Sequence, residues 1–337
     1  MSIEAVALEA GVSVATVSRV FNAPDLVSPP TREKVQRVAR RLGYAANASA
    51  RTLRTQRSKV IGVVLPTLLN PVFAECLEGI AATATELGYS IIPATTSYRT
   101  DDEAAAVASL VSRSVDGVVL VVADPGASPA LKRLRSAKVP YVLAYNRHPR
   151  HPCVSVDHEA AVADVVHRLA ARGHRRIAMV SGQLSASDRA RQRHDGFVRG
   201  LAECGLPTGT LIEVPFMDHA VRHLTDFLQA PDRPTALFCS NDLLAIRTIR
   251  AASQIGLQVP RDLSVVGFDG IELGGDLTPS LGTVVQPSRE IGQECVRLLA
   301  GAMRTGKPLT ASASHTAGHT FRDGESIAAP LSAKTLR

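Results

Sequence analysis

Arg19, Ser13, Thr16 and Ser18 lie within AGVSVATVSRVFN (10–22), and their types and spacing suit contact with nucleic acid. The stretch reads as the end of one helix, a glycine-containing turn, and a second helix that opens on small and hydroxyl side chains. In a helix-turn-helix the second helix enters the major groove and its first turns meet base edges and phosphates. On that geometry Val14, Ala15 and Arg19 face bases, while Ser13, Thr16 and Ser18 hydrogen-bond phosphate or backbone. The forked donors of Arg19 suit a guanine edge. The same pattern fits an ordinary αα-hairpin with solvated polar residues, so the helix pair alone leaves both readings open.

Other groupings carry less chemistry. GAMRTGK (301–307) fits the first seven positions of a phosphate-binding loop, but Lys307 is followed by Pro308 rather than a hydroxyl residue, and the segment ends a helix instead of linking strand to helix. His315 and His319 have ligand-like spacing without a third partner, so a solvated pair is expected. The five cysteines (Cys76, Cys153, Cys204, Cys239, Cys295) are odd in number and far apart, which suits neither a disulfide framework nor zinc. With no nucleophile elbow, metal cluster or dinucleotide fingerprint, an enzyme is not expected, nor is a cofactor or a metal.

Charge locates the polyanion-binding part. Residues 1–58 carry nine basic side chains against four acidic ones, which leaves only two positive charges of the chain's net +7 for the remaining residues. A basic head on a nearly neutral body implies a nucleic-acid partner for the head alone. No apolar stretch reaches about 18 residues, and the start MSIEAVALEAGV is neither basic nor followed by an apolar segment. Neither membrane insertion nor export is expected, and the cytoplasm is the expected location. These features weigh against a transport-type binding protein without DNA function.

The elements that must position these residues can be read from periodicity. Three short helices are expected in the first 44 residues. The first runs from about Ser2 to Ala10 and stops at Gly11, the second is capped by Ser13, and the third is entered through Ser28 and Pro29 and ended by Gly43. Their inward stripes are Ile3, Val6 and Ala7, then Val17, Val20 and Phe21, then Val35, Val38 and Leu42. NASARTLRTQ (47–56) is small, polar and basic, with too little apolar surface to fold alone. Beyond it, apolar runs such as VIGVVLP, GVVLVV, YVLAY, RIAMVSG, ALFCSN and LSVVGFD alternate with amphipathic helices. That rhythm means parallel sheets wrapped on both faces, here in two similar lobes. Ligand specificity then belongs to the segments just after the strands.

AGVSVATVSRVFN, VSPPTREKV (27–35), LGYAAN (42–47) and ARTLRT (50–55) resemble, in type, order and spacing, the successive head-piece motifs of the lac repressor/galactose repressor (LacI/GalR) family. The likeness continues through KVIGVVLPTLLNPVFAE (59–75), RGHRRIAMVSG (172–182), FCSNDLLAI (238–246), LSVVGFDG (263–270) and VVQPSREIG (284–292), and so covers essentially the whole chain. It implies an all-α helix-turn-helix head over residues 1–46, a hinge helix over 47–58, and a two-lobed α/β core of the periplasmic-binding-protein type over 59–337. The lobes would be 59–157 with 284–315, and 158–283 with 316–330. In the head, Asn22 and Tyr44 would hold the unit together or touch phosphate. Asn47 to Thr55, Ala50 among them, would fold on the minor groove, with Leu53 as an apolar wedge that trades unstacking for a bend. Two residues depart from the family pattern: Ala46 stands where proline usually precedes the hinge, and Ala5 where an acidic residue is usual. The partners implied are operator DNA, a small sugar or sugar-acid effector bound between the lobes and a second copy of the chain, in a repressor whose effector closes the lobes.

By the same resemblance the effector-contacting positions are Asn70, Phe73, Asn146, Arg147, Arg193, Asn241 and Asp269. Arg193 would clamp a carboxylate or paired hydroxyls, Asp269 would accept from hydroxyls, Asn241 would do both, and Phe73 would supply a wall, with Phe216 a candidate second wall. Each also fits a plainer role: Arg193 a surface charge, Asp269 a turn former, Phe73 core. Gln286 and Pro287 are assigned to the crossover between lobes and Asp157 to a helix cap. VVLPTLLNPVFAECLEGI (63–80) and GHTFRDGESI (318–327) look closest to the gluconate-operon repressor subgroup, whose ligands are sugar acids, and Arg147 and Arg193 suit an anion.

Overall fold

A computed structural model describes residues 2–44, 57–214 and 220–331. The chain divides into two compact units, residues 1–59 and 60–337.

The first unit is three helices: α1 (Ile3–Ala10), α2 (Val14–Asn22) and α3 (Pro29–Arg41). Ser2 caps α1 by accepting from the Ala5 amide, and Gly11, at φ 62°, turns the chain out of it. Ser13 then caps α2 by accepting from the Thr16 amide at 3.1 Å. Ser28 stands at the start of α3, but its hydroxyl donates to Thr31 Oγ1 at 3.0 Å and caps no backbone amide. Pro30, at the second helical position, has no amide hydrogen, so only the Thr31 amide is left in the first turn for a capping bond. Val6, Ala7, Ala10, Val17, Val20, Val35, Val38 and Ala39 form the core, edged by Phe21 and Tyr44 with ring centroids 5.7 Å apart.

The second unit holds two six-stranded sheets. The first lobe contains β1 (Val60–Leu65), α4 (Pro71–Glu86), β2 (Ser90–Thr95), α5 (Thr100–Ser112), β3 (Gly117–Leu120), α6 (Pro129–Ser136), β4 (Tyr141–Ala144) and β5 (Cys153–Ser155). The second contains α7 (His158–Ala171), β6 (Ile177–Ser181), α8 (Asp188–Glu203), β7 (Leu211–Glu213), α9 (Ala220–Leu228), β8 (Ala236–Cys239), α10 (Asp242–Gln254), β9 (Ser264–Asp269) and β10 (Gly282–Val285). The chain then returns to the first lobe with α11 (Ser288–Thr305) and β11 (His315–Thr316), and ends in the second with β12 (Thr320–Arg322). It therefore passes between the lobes three times.

Strand order is β11-β5-β4-β3-β1-β2 in one sheet and β12-β10-β9-β8-β6-β7 in the other. All described pairings are parallel except β10 with β12. Central strands such as GVVL and ALFC are buried along their whole length because helices cover both faces. The helix pair α4/α11 approaches closely at Gly79 and Gly292, where an added Cβ would lie 2.1 Å from Arg289 O and 2.2 Å from Cys76 O.

GAMRTGK closes α11, and Gly306 ends the helix at φ 68°, so no phosphate cradle forms. His315 is exposed in β11, and His319 lies 3.8 Å from Asp164. Among the described residues no three His, Cys, Asp or Glu converge on a metal position, and no helix is long and apolar enough to cross a membrane.

Candidate effector cleft and DNA-contacting face

A cleft of about 540 Å³ opens where the carboxyl ends of both sheets face each other. Its size falls in the range of small-molecule sites. Every wall is a segment directly after a strand or closing one: residues 67–73 after β1, 97–99 after β2, Tyr145 after β4, 182–193 after β6, Ser240 and Asn241 after β8, Asp269 closing β9, and Gln286 after β10.

At its floor Asp269, nearly fully buried and at φ 124°, accepts from Asn70 Nδ2 at 3.1 Å and from Gln286 Nε2 at 2.8 Å. Arg193 lies beside it, with its Nη2 3.6 Å from the carboxylate. Burial raises the Asp269 carboxyl above the usual carboxylate range, against the charge of Arg193 and the two amide donors. Burial likewise lowers Arg193 to about 10, which leaves it charged at neutral pH. Its Nη1 donates to Ser240 O, its Nε to His158 Nδ1 at 3.4 Å, and its guanidinium sits 3.8 Å from the Phe268 ring centroid. His158, with Nε2 3.0 Å from Tyr145 O, is held neutral by burial first and by the neighbouring Arg193 second. A neutral ring can accept from Arg193, which fixes the guanidinium's direction.

Asn70 and Asn241 are helix caps as well as cleft residues: Asn70 Oδ1 accepts from the Val72 amide at 3.4 Å and Asn241 Oδ1 from the Leu244 amide at 2.9 Å. Each keeps its amide on the cleft side of a rigid helix start. Phe73 is both wall and core, edge-on to Tyr145 with centroids 5.6 Å apart.

The structure thus brings Asn70, Phe73, Arg193, Asn241 and Asp269 together around one cavity. It does not bring Asn146 or Arg147 there. Asn146 is fully buried outside the cleft lining, its Oδ1 accepting from Val122 N and both Nδ2 protons spent on Val122 O and Asp188 Oδ1. Arg147 is half-exposed and paired with Asp157, which also caps α7. Phe216 lies outside the described residues.

Sequence reasoning misses Gln286, Arg189 and Tyr98 as cleft residues. Gln286, which the sequence assigns to the crossover, lines the cleft with its Oε1 buried and without a partner. Arg189 stands four residues before Arg193 on α8, and that spacing, which puts both on one helix face, is the signal that could have found it. Its Nη1 donates to Val122 O and to Asp188 Oδ1, both at 3.1 Å. Tyr98, at φ 61°, comes after β2 in a short run that carries no motif.

In the head, Val14, Ala15 and Arg19 are exposed on one side of α2, while Val17 and Val20 are buried on the other. Ser13 and Thr16 bond each other, Oγ to Oγ1, at 2.9 Å. Arg19 makes no ion pair among the described residues, so its guanidinium is available to an external acceptor. Ser18 is partly buried and Tyr44 packs against Phe21. Asn22 is the last residue of α2. Asn47, Ala50 and Leu53 lie outside the described residues.

Comparison with known proteins agrees with both halves. Residues 2–47 match the bacterial regulatory proteins of the lacI family, and residues 166–326 match the periplasmic binding protein-like domain. The chain is 36% identical to catabolite control protein A of Priestia megaterium over 87% of its own length and 90% of that protein's. It is 32% identical to the transcriptional repressor CytR of Escherichia coli strain K12, over 89% of each. Among solved structures, the lac repressor dimer bound to operator and the anti-inducer ONPF superposes with a TM-score of 0.87 at 27% identity, covering 98% of this chain and 99% of that one. A basic helix-turn-helix head, two parallel-sheet lobes and relatives matched over nearly nine-tenths of its length place the chain in the LacI family of DNA-binding transcriptional regulators, whose members here are repressors and regulators rather than enzymes.

Proposed function

We propose that the chain is a repressor that binds a roughly palindromic operator as a homodimer and is controlled by a sugar-acid effector in the cleft between its lobes. Residues 1–46 read each half-site, with Arg19 at a guanine and Val14 and Ala15 at neighbouring base edges. Residues 47–58, with Leu53 as the wedge, open the minor groove, and residues 59–337 dimerise and sense. The neighbouring lac repressor structure is a dimer with operator and an anti-inducer, which supports the same arrangement of partners.

The observation that carries the reading is the buried Arg193 and Asp269 pair at the cleft floor. At 3.6 Å the pair is loose, and Asp269 is already held by Asn70 and Gln286. With Nη1 and Nε held by Ser240 O and His158, Arg193 can therefore offer Nη2 to a ligand carboxylate without stranding Asp269, while the free Oε1 of Gln286 accepts from a hydroxyl. Closing the lobes over such a ligand shifts operator affinity by the difference in its binding free energy between open and closed states.

Two measurements test this. A gel shift on operator sequence near the gene should show salt-sensitive, sequence-selective binding, and its absence sinks the regulator reading. A thermal-shift screen of hexonic acids against the matching neutral sugars should raise the melting point with the acids, and stabilisation by neutral sugars alone would overturn the acid.

A further inference from the structure

The second lobe has another cavity, of about 280 Å³, lined by the segments that lead into β6, β8 and β9 and therefore at the end of that sheet opposite the effector cleft. Arg175, Arg176, Arg233 and Arg261 line it, together with His174 and one carboxylate, Asp262. Asp262 is already spent: Arg261 donates to both its oxygens, at 3.1 and 2.9 Å, and the Gln258 amide donates to Oδ2 at 2.8 Å. Arg175, Arg176 and Arg233 make no ion pair among the described residues, although Arg233 is near enough to help hold Asp262 charged, and four arginines against one carboxylate leave a net excess of three positive charges around one small hollow.

Two further features point the same way. The Nε of Arg233 is buried without an acceptor, a donor that a ligand oxygen would satisfy. The floor is rigid, because the buried His174 ring is held by Thr235 Oγ1 at 2.9 Å and by Ala328 O at 2.9 Å, and four proline rings stand around it. Capping of nearby helix ends does not account for the arginines. That role at the end of α7 belongs to Arg172, whose Nη1 donates to Arg168 O, whereas Arg176 reaches only the loop carbonyl of Arg233.

We propose that this hollow is a second binding site, for a small multiply charged phosphate of about the size of pyrophosphate. Guanidinium forks match phosphate oxygens in geometry and charge. The volume lies at the lower edge of ligand cavities, which suits a diphosphate rather than a whole nucleotide.

The test is calorimetric titration of the full chain with inorganic pyrophosphate at constant ionic strength. One saturable site per chain is expected. Arg175→Gln with Arg233→Gln should weaken it by at least about 10-fold, since each removes a charge-assisted contact. Arg19→Gln and Arg193→Gln should titrate like the parent. No saturable binding, undiminished affinity in the double variant, or loss in Arg19→Gln or Arg193→Gln instead would each overturn the site. An unchanged melting point without pyrophosphate shows that the double variant is folded. If it is not folded, Arg175→Gln alone decides, because that exposed side chain makes no bond among the described residues.

Discussion

The Asn146 amide donates to Asp188 Oδ1 at 2.6 Å, a bond that runs from the end of β4 in one lobe to the start of α8 in the other. It does not stand alone. The Asp188 amide donates to Ala123 O at 2.8 Å, and Arg189 Nη1 donates to Val122 O. Three bonds from adjacent residues thus clasp the lobes beside the cleft, and all of them are present with the cleft closed this far.

Asn146→Ala tests the clasp. Burial raises the Asp188 carboxyl, and the Asn146 amide works against that rise, so removing the amide leaves a buried carboxylate short of a donor. The expected loss is about 1.5–3 kcal/mol of stability, read by urea denaturation. Effector affinity should fall with it, because the closed form becomes harder to reach. Arg147→Ala, which removes only a half-exposed ion pair, should change stability by no more than about 1 kcal/mol. Equal effects from the two variants would remove the clasp from the account.

Arg193→Ala should abolish the effector response while operator binding persists, because the residues proposed to read DNA lie in the head. Truncating one side of a buried charge pair weakens binding by about 30-fold or more. Titrating operator affinity against effector concentration decides it, and a response at the parent's concentration refutes the role of Arg193.

The lobes and the trihelical head are legible in the sequence because their signals are local. Ser13 sits three residues before the amide it caps, and VIGVVL or ALFC announces a strand covered on both faces without knowledge of its neighbours. Asn70, Phe73, Asn241 and Asp269 are legible because family motifs fix the residue types at and just after the strands, and Arg193 because the likeness extends to its position on α8. Asn146 departs from its expected place for a long-range reason. Tyr145 adopts φ 62° at the end of β4, and the next side chain turns back to Val122 and to Asp188, which is 42 residues away. Gln286 is hidden likewise, since its partner Asp269 is 17 residues earlier and its neighbour Pro287 suggests only a turn.

Stability should depend on pH through two buried carboxyls. Burial pushes Glu103 up to about 7, against donation from the Ala123 amide and the charge of Arg189. Asp242 is also pushed up to about 7, by burial and then by the charge of Asp269. The ordinary values are 4.5 and 3.8, so between those and about 7 the folded chain keeps protons that the unfolded chain has released. Their contribution is complete below pH 3.8 and is lost as pH rises through about 7. Glu103→Gln keeps the acceptor for Ala123 and removes one titration, so its urea midpoint should fall less than the parent's between about pH 5 and pH 8. Parallel curves would show that Glu103 is already ionised at the acid end of that range.

Two glycines on α11 should respond in opposite directions. Gly292→Ala would place a methyl 2.2 Å from Cys76 O, a backbone atom of α4 that cannot turn aside. The helices must separate, at a cost of about 1–3 kcal/mol. Gly301 has nothing within 4 Å of the same position, so Gly301→Ala gains helix propensity worth up to about 1 kcal/mol. Urea denaturation of the two variants separates packing from propensity within one helix, and destabilisation by both would mean that the close α4/α11 contact is not what fixes Gly292.

Arg19→Ala addresses the reading of DNA. The side chain is exposed, unpaired among the described residues and carried near the end of a helix whose start is held by the Ser13 cap, so its loss should leave the head folded. Losing a bidentate guanine contact costs about 1–3 kcal/mol and relaxes preference at one base pair of each half-site. Leu53→Ala acts differently, since a wedge contributes by offsetting unstacking with a bend, and removing it should reduce the bend angle while half-site preference stays. Competition binding across single-base operator variants, read beside circular-permutation bending, distinguishes the two. A uniform weakening across all base variants by Arg19→Ala would make Arg19 a phosphate contact, and an unchanged bend with Leu53→Ala would remove the wedge.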